Sequence, residues 1–258
     1  MAGRTQLRYR ARIAEDEADI HAAQRLRSRA FGAGQARAGT VAAEPPPPPR
    51  EADAFDALCT HVLIEDVATG RLVCCFRLFP LHHGGEIARS YAAQFYELSA
   101  LQEFPAPMVE MGRFCTDPDC HDPDVLRVAW AAITRHVDEH GVGMLFGCSS
   151  FPGTDAGPYL DVFAMLRERH LAPRRWWPRV KAPSVFRFTQ ALQKRRPDVK
   201  QALRRMPPLL RSYLVMGGWV SDHAVVDRQL NTLHVFTGVE IGAIPPARKR
   251  LLRAAAAG

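Results

Sequence analysis

Residues 109–116, Val-Glu-Met-Gly-Arg-Phe-Cys-Thr, read as a β-strand with a carboxylate, Glu110, and a guanidinium, Arg113, set into an otherwise apolar run. A strand buried on one face presents apolar residues there. A buried ion is paired or functional, because desolvating it costs several kcal/mol. This strand therefore carries a structural Glu110–Arg113 pair or lines a site. Further on, Leu-Phe-Gly-Cys-Ser-Ser-Phe-Pro-Gly-Thr-Asp at 145–155 is a second strand that breaks into a Pro-Gly turn lined with hydroxyls. Two strands with polar interruptions, joined by one helix, make a cleft at a sheet.

The chain has 258 residues, enough for one large α/β domain or a domain with an appended lobe. No apolar run approaches the roughly 20 residues that span a bilayer. Arg4, Arg8, Arg10 and Arg12 are not followed by an apolar segment, so a secretory signal is not expected. Six cysteines, at 59, 74, 75, 115, 120 and 148, include no Cys-x-x-Cys, the pattern of reduced thiols in a cytosolic protein. Cys115, Cys120 and His121 lack a partner motif for a fourth ligand, so no metal is expected.

Charge is unevenly spread. Residues 1–170 hold 17 Lys+Arg against 23 Asp+Glu, and residues 171–258 hold 17 against 4. The basic C-terminal part implies an acidic partner: nucleic acid, an anionic membrane surface or an acidic carrier protein. Arg outnumbers Lys 30 to 4, so a solvated basic face is the alternative. No helix-turn-helix, RNA-recognition motif or zinc finger is visible, so a nucleic-acid-binding module is the lesser reading.

Helical spacing of Ile20, Ala23, Leu26 and Ala30 predicts a helix over 16–31. A loop follows to Arg50 through the Pro45–Pro49 tract. Strands are expected at 60–66 and 71–79, joined by a hairpin turn at 67–70. A helix is expected at 88–101, then the Glu110 strand. Asp124 caps a helix to His140 with Gly141 as its stop. A strand at 144–151, a helix at 158–170, a strand at 184–189, a basic helix at 198–205, a helix from Pro207 and a strand at 234–241 complete the order. That order suggests a mixed sheet with helices on its faces.

This α/β order resembles the GCN5-related N-acyltransferase fold, a mixed β-sheet flanked by helices. Arg27 and Phe31, the cluster Glu51, Asp53 and Asp56, then Arg77, and then Glu110 and Arg113 resemble the acyl-homoserine-lactone synthases, although the Trp usual after the first helix is absent. The 145–155 run and the distal 206–236 segment, with its Met-Pro-Pro-Leu-Leu-Arg-Ser-Tyr-Leu, are similar to the amino-acid N-acyltransferases that make ornithine lipids. The latter resemblance covers about residues 15–240. It implies transfer of a 3-hydroxyacyl chain from acyl carrier protein to the α-amine of L-ornithine, giving a lyso-ornithine lipid. Glutamine as acceptor and lactone synthesis are the alternatives. The expected organisation is a tail over 1–15, an acyltransferase core over 16–190, a basic lobe over 191–245 packed on it, and a tail over 246–258. A cytoplasmic location is expected, with peripheral contact with the inner membrane as a further expectation.

Acyl transfer from a thioester to an amine needs an amine that loses a proton, a polarised carbonyl and a protonated leaving thiol. Glu110 is the first candidate base and Asp53 or Asp56 the second, with Arg113 beside Glu110. Arg27 and Arg77 offer bidentate forks for the amino acid's carboxylate. Glu51, Asp53 and Asp56 would meet a side-chain ammonium. Ser149, Ser150 and Thr154 are candidate hydrogen-bonding groups, and Phe31 a wall. Coenzyme-A-using members of the fold place a Gly-rich turn after this strand to cradle a pyrophosphate. Here residues 117–124 contain no Gly and four Asp. The expected donor is therefore phosphopantetheine held on acyl carrier protein, with no bound cofactor, and Arg195, Arg196, Lys200 and Arg204 are the expected docking residues. Trp176 and Trp177 amid Arg174 and Arg175 suit a lipid headgroup layer or a cap on the core.

Overall fold

The computed structural model describes residues 8–32 and 50–257. In chain order its elements are β1 (Tyr9–Ile13), α1 (Glu17–Gly32), β2 (Thr60–Asp66), β3 (Leu72–Leu81), β4 (Tyr96–Glu97), β5 (Met108–Thr116), α2 (Pro123–Glu139), β6 (Met144–Pro152) and α3 (Leu160–Arg169). Then follow β7 (Arg179–Val180), β8 (Val185–Phe186), α4 (Phe188–Ala191), α5 (Val199–Arg205), α6 (Pro208–Val215), β9 (Trp219–Val220), β10 (Ala224–Asp227), β11 (Thr232–Glu240) and α7 (Pro246–Ala257). The described residues form two compact units. One takes in residues 8–32, 50–79, 112–140 and 249–257, the other Pro80–Met111 and Gly141–Arg248.

In the first unit the strand order is β1-β2-β3-β5. β2 and β3 form an antiparallel hairpin in which Leu63 lies opposite Cys75 and Ile64 opposite Cys74. Gly70, at φ 69°, closes the turn, and the Asp66 carboxylate accepts from the backbone N–H groups of Ala68 and Thr69. Alternation puts Leu63, Cys75 and Cys115 on the face covered by Ala23 and Leu26 of α1. Helix α2 packs on β1 and β2. Its start is set by Asp122, whose side chain accepts from the Asp124 N–H, and by Pro123 at the first helical position. The helix cap is thus Asp122, two residues before the expected one.

In the second unit the order is β5-β6-β11-β10-β8, with β9 on β11. β5 and β6 run parallel from the pair Met108 and Met144 to the pair Met111 and Gly147, where pairing stops. β6 pairs antiparallel with β11 throughout, from Met144 opposite Glu240 to Pro152 opposite Thr232. One face of this sheet packs through Phe151, Leu233 and Val235 on Val162, Phe163 and Leu166 of α3 and on Leu210 of α6.

Several expectations change. The helix expected at 88–101 is replaced by short 3-10 turns and the two-residue β4. The physical reason is local. The N–H groups of Tyr91 and Ala92 donate to the Glu110 carboxylate, and that of Ala93 to the Ser90 hydroxyl, so an α-helical ladder cannot form. The strand expected at 184–189 shrinks to Val185–Phe186 before α4. The stretches expected as tails contain β1, which pairs with β2, and α7. The Pro45–Pro49 loop lies outside the described residues.

Candidate active site

In the first unit, three guanidinium groups face three carboxylates. Arg27, on α1, donates from Nη1 to Asp56 Oδ1 at 2.7 Å and from Nη2 to Asp56 Oδ2 at 2.8 Å. Its Nε lies 2.6 Å from Glu51, and Nη2 also meets the Glu51 carbonyl. Arg77, on β3, bonds Asp53 at 2.5 and 3.0 Å and Asp56 at 2.8 Å. Arg113, on β5, bonds Glu51 at 2.8 Å and Asp53 at 2.9 Å. Gln24 adds a bond to Asp56 at 3.0 Å, and His61 Nε2 donates to the Asp56 carbonyl at 2.9 Å.

Sequence places these groups together because Asp53 caps the 3-10 turn at 54–57, accepting from the Phe55 N–H, while Asp56 reaches back to the Asp53 N–H. Burial would raise the Asp56 carboxyl, but the bonds from Arg27 and Arg77 outweigh it and hold it well below the usual carboxylate range. Asp53 is lowered by the same balance of burial against Arg77 and Arg113. Burial holds His61 below its ordinary value, so it is neutral. Arg27 and Arg77, expected to clamp an amino-acid carboxylate, have both forks taken by protein carboxylates. That leaves them a structural role. The same bonds pair Glu51, Asp53 and Asp56 with arginines, which weighs against an ammonium site at this cluster and against Asp53 as a base. Phe31 packs in the apolar layer under α1.

Arg113 is one of two non-glycine residues with positive φ among the described residues, at 51°. That backbone is costly for a side-chain-bearing residue. Its bonds to Glu51 and Asp53 hold it there.

The second unit contains Glu110. Its side chain is buried at 3% exposure, and its two oxygens accept from the N–H groups of Tyr91 and Ala92, each at 2.7 Å. These bonds fix the backbone at Tyr91 and Ala92 and leave each oxygen a second lone pair. Arg113, for its part, bonds Glu51 and Asp53. On β6, Ser149 is buried and accepts from the Thr237 hydroxyl at 2.9 Å, whereas Ser150 is exposed and Thr154 half-buried in the turn beyond. Gly147 is required where it stands: a Cβ there would lie 2.3 Å from the Met111 carbonyl oxygen. Tyr213, on α6, keeps its proton, since burial and the neighbouring charges of Glu110 and Cys148 push its phenol far up.

Sequence reasoning passed over Tyr96, His223 and His234, and it noted Tyr213 only as part of the distal motif. His234 in the apolar run Thr-Leu-His-Val-Phe was the one available signal, a polar side chain at an interior strand position.

A profile of the Acetyltransferase (GNAT) domain matches residues 26–131. An L-ornithine N(alpha)-acyltransferase from Rhodobacter capsulatus is 34% identical over 234 residues, covering 89% of this chain and 88% of its own. The chain belongs to the L-ornithine N(alpha)-acyltransferase family. It is an acyltransferase, and the expected GCN5-related fold class holds. A second relative of that name, from Brucella abortus, is 30% identical and covers 87% of this chain and 82% of its own. Among solved structures, an N-acyl amino acid synthase from uncultured soil microbes is 10% identical, with a TM-score of 0.46 over 97% of each chain.

In this acyltransferase the Asp-rich segment is built into the fold. Asp117 pairs with Arg29 at 3.0 Å and with Arg71 at 2.8 Å, and Asp122 caps α2. Of the expected docking residues, Arg195 is bound to Asp161 at 2.9 Å and Arg204 to Gln201 at 2.9 Å. Arg196 and Lys200 are exposed. Trp176 packs edge-on against Phe104 in the core, so its role as a core cap replaces that of a headgroup anchor. Among the described residues no helix is long and apolar enough to cross a membrane.

Proposed function

We infer that this acyltransferase moves a 3-hydroxyacyl chain from the phosphopantetheine of an acyl carrier protein to the α-amine of L-ornithine, giving a lyso-ornithine lipid. The observation that carries the reading is the 34% identity along 89% of the chain to a relative named for that acceptor. The donor is argued from charge. The helix end that would meet a pyrophosphate is capped by Asp122 and flanked by Asp119 and Asp124, which repel one. The second unit, by contrast, exposes Lys194, Arg196, Lys200 and Arg205, which suit an acidic carrier.

The chemistry needs a proton removed from the amine and one returned to the departing thiolate. Tyr213, held protonated in the second unit, is the candidate donor to sulfur. Glu110 fixes the 84–95 segment of that unit. The test incubates the protein with 3-hydroxyacyl carrier protein, or with the matching acyl-coenzyme A, and with ornithine, glutamine or lysine, and identifies products by mass. N-acylornithine from the carrier donor is expected. Exclusive use of glutamine, or equal efficiency with the coenzyme A thioester, overturns the acceptor or the donor respectively.

A further inference from the structure

Helix α7 has little inside the protein to hold it. From Pro246 to Ala256 no residue is buried, and Pro246, Ala247, Arg248, Arg250, Leu251, Arg253 and Ala254 are exposed. Arg253 donates from Nε and Nη2 to the two carboxylate oxygens of Asp138, on α2, at 2.9 and 2.8 Å. Those side chains are 55% and 40% exposed, and an exposed pair of this kind contributes little. A helix of this length is marginal in water without a packed face.

The composition of the segment is one-sided. Residues 241–257 hold Arg248, Lys249, Arg250 and Arg253 and no Asp or Glu. Arg248 and Arg250 have no ion-pair partner among the described residues. Steps of four and three residues put Ala247, Leu251 and Ala254 on one outward face, with Arg248 falling to one side of it and Arg250 to the other. Leu251 is 64% exposed, more than any other large apolar side chain among the described residues. A lone exposed leucine is ordinary. Here it lies between two unpaired guanidinium groups on a helix with no buried residue.

A basic rim also suits an acidic protein. A protein partner, however, is gripped by large anchors seated in a shaped surface. The outward face of α7 offers a single leucine among alanines, which suits a fluid surface that needs no shape match.

We propose that α7 is a membrane-surface helix that lies along an anionic lipid bilayer, with Leu251 at the boundary of headgroups and acyl chains and with Arg248 and Arg250 on lipid phosphates. The lipid product inferred above supports the placement, since a lysolipid partitions into a bilayer, and to that extent the proposal rests on that reading. The attachment is weak and reversible, because one leucine and a few charges fall short of a stable anchor.

The test is flotation of the full chain with vesicles of phosphatidylglycerol and phosphatidylcholine, or of phosphatidylcholine alone, at two ionic strengths. It needs no turnover, so a failure of the ornithine or carrier assignment does not touch it. Wild type is expected to float with the anionic vesicles only, and less at high salt. Arg248→Gln with Arg250→Gln is expected to weaken binding about thirtyfold, about fivefold for each charge. Leu251→Ser is expected to weaken it about tenfold and leave the salt dependence as it was. These side chains are exposed, and melting temperatures check that the variants fold. The pair Arg196→Gln and Lys200→Gln removes the same net charge elsewhere and is expected to change binding far less. A second reading is positional: Leu251→Trp is expected to be quenched by brominated phosphatidylglycerol beyond the wild-type level. No flotation with anionic vesicles, equal loss in the Arg196 and Lys200 pair, or no added quenching overturns the proposal. So does a raised KM for the carrier protein in the Arg248 and Arg250 pair with vesicle binding unchanged, which would make α7 a carrier-docking helix.

Discussion

Arg27 grips Asp56 at two points, 2.7 and 2.8 Å, with only 1% of its surface exposed. A buried pair of this kind is weak evidence for stability, but removing one partner strands the other. Arg27→Met is expected to cost about 3 kcal/mol, read as a lower urea midpoint. Arg27→Lys, which keeps the charge but loses the fork, should recover less than half of that. Full recovery with Lys would mean that charge alone matters.

Acidification should weaken the fold in two stages. His234 binds its proton near pH 6.5 when unfolded and near 4 when folded, so the unfolded state gains protons first as pH falls between these values. Stability is full above about 6.5 and declines toward 4, by about 3 kcal/mol at most. Asp53 and Asp56 have lowered folded values, so their contribution is present above about 4 and lost as pH falls further. Melting temperatures from pH 7.5 to 3 check this. His234→Gln should flatten the upper part of the decline and leave the lower part.

Gly147→Ala places a methyl group 2.3 Å from the Met111 carbonyl oxygen, which is backbone and cannot swing aside. The parallel β5–β6 pairing would have to shift. An expected loss of about 1–3 kcal/mol, with a larger fall in turnover, follows from overpacking. A wild-type melting temperature would refute this account of the glycine.

Glu110→Gln replaces an acceptor of two backbone N–H groups with an amide that has one oxygen. One donor, from Tyr91 or Ala92, is left unsatisfied. The expected cost is about 2 kcal/mol of stability together with a large loss of activity. A variant as stable as wild type but with turnover reduced about a hundredfold would instead return Glu110 to the role of base.

Charge reversal at Arg196 and Lys200, which are exposed, should raise KM for the carrier protein and reduce its salt dependence, with KM for the amino acid unchanged. Arg195→Glu is a poor probe, because it also breaks the bond to Asp161. Steady-state kinetics at two ionic strengths separate these effects. Equal KM values for the carrier would place its docking elsewhere.

The sequence alone determined the alternation of helices and strands, because hydrophobic period and turn residues are local properties. The resemblance to the acyl-homoserine-lactone synthases picked out Arg27, Glu51, Asp53, Asp56, Arg77 and Arg113, and the structure brings these six together. Which group each ion would face was not legible. Arg113 bonds Glu51 and Asp53, 62 and 60 positions away, and such pairing depends on strand order and on a backbone at φ 51°. The segment 88–101 read as helix because its competitor, the Glu110 carboxylate, arrives from a strand 18 and 19 positions later. His234 looked like an ordinary core residue. Only the tertiary placement of Tyr96, 138 positions away, lays a hydroxyl beside its Nδ1 and its carbonyl oxygen. Local sequence specifies backbone preference and amphipathicity, whereas the partner of a buried polar atom is set by which distant segment the packed fold lays beside it.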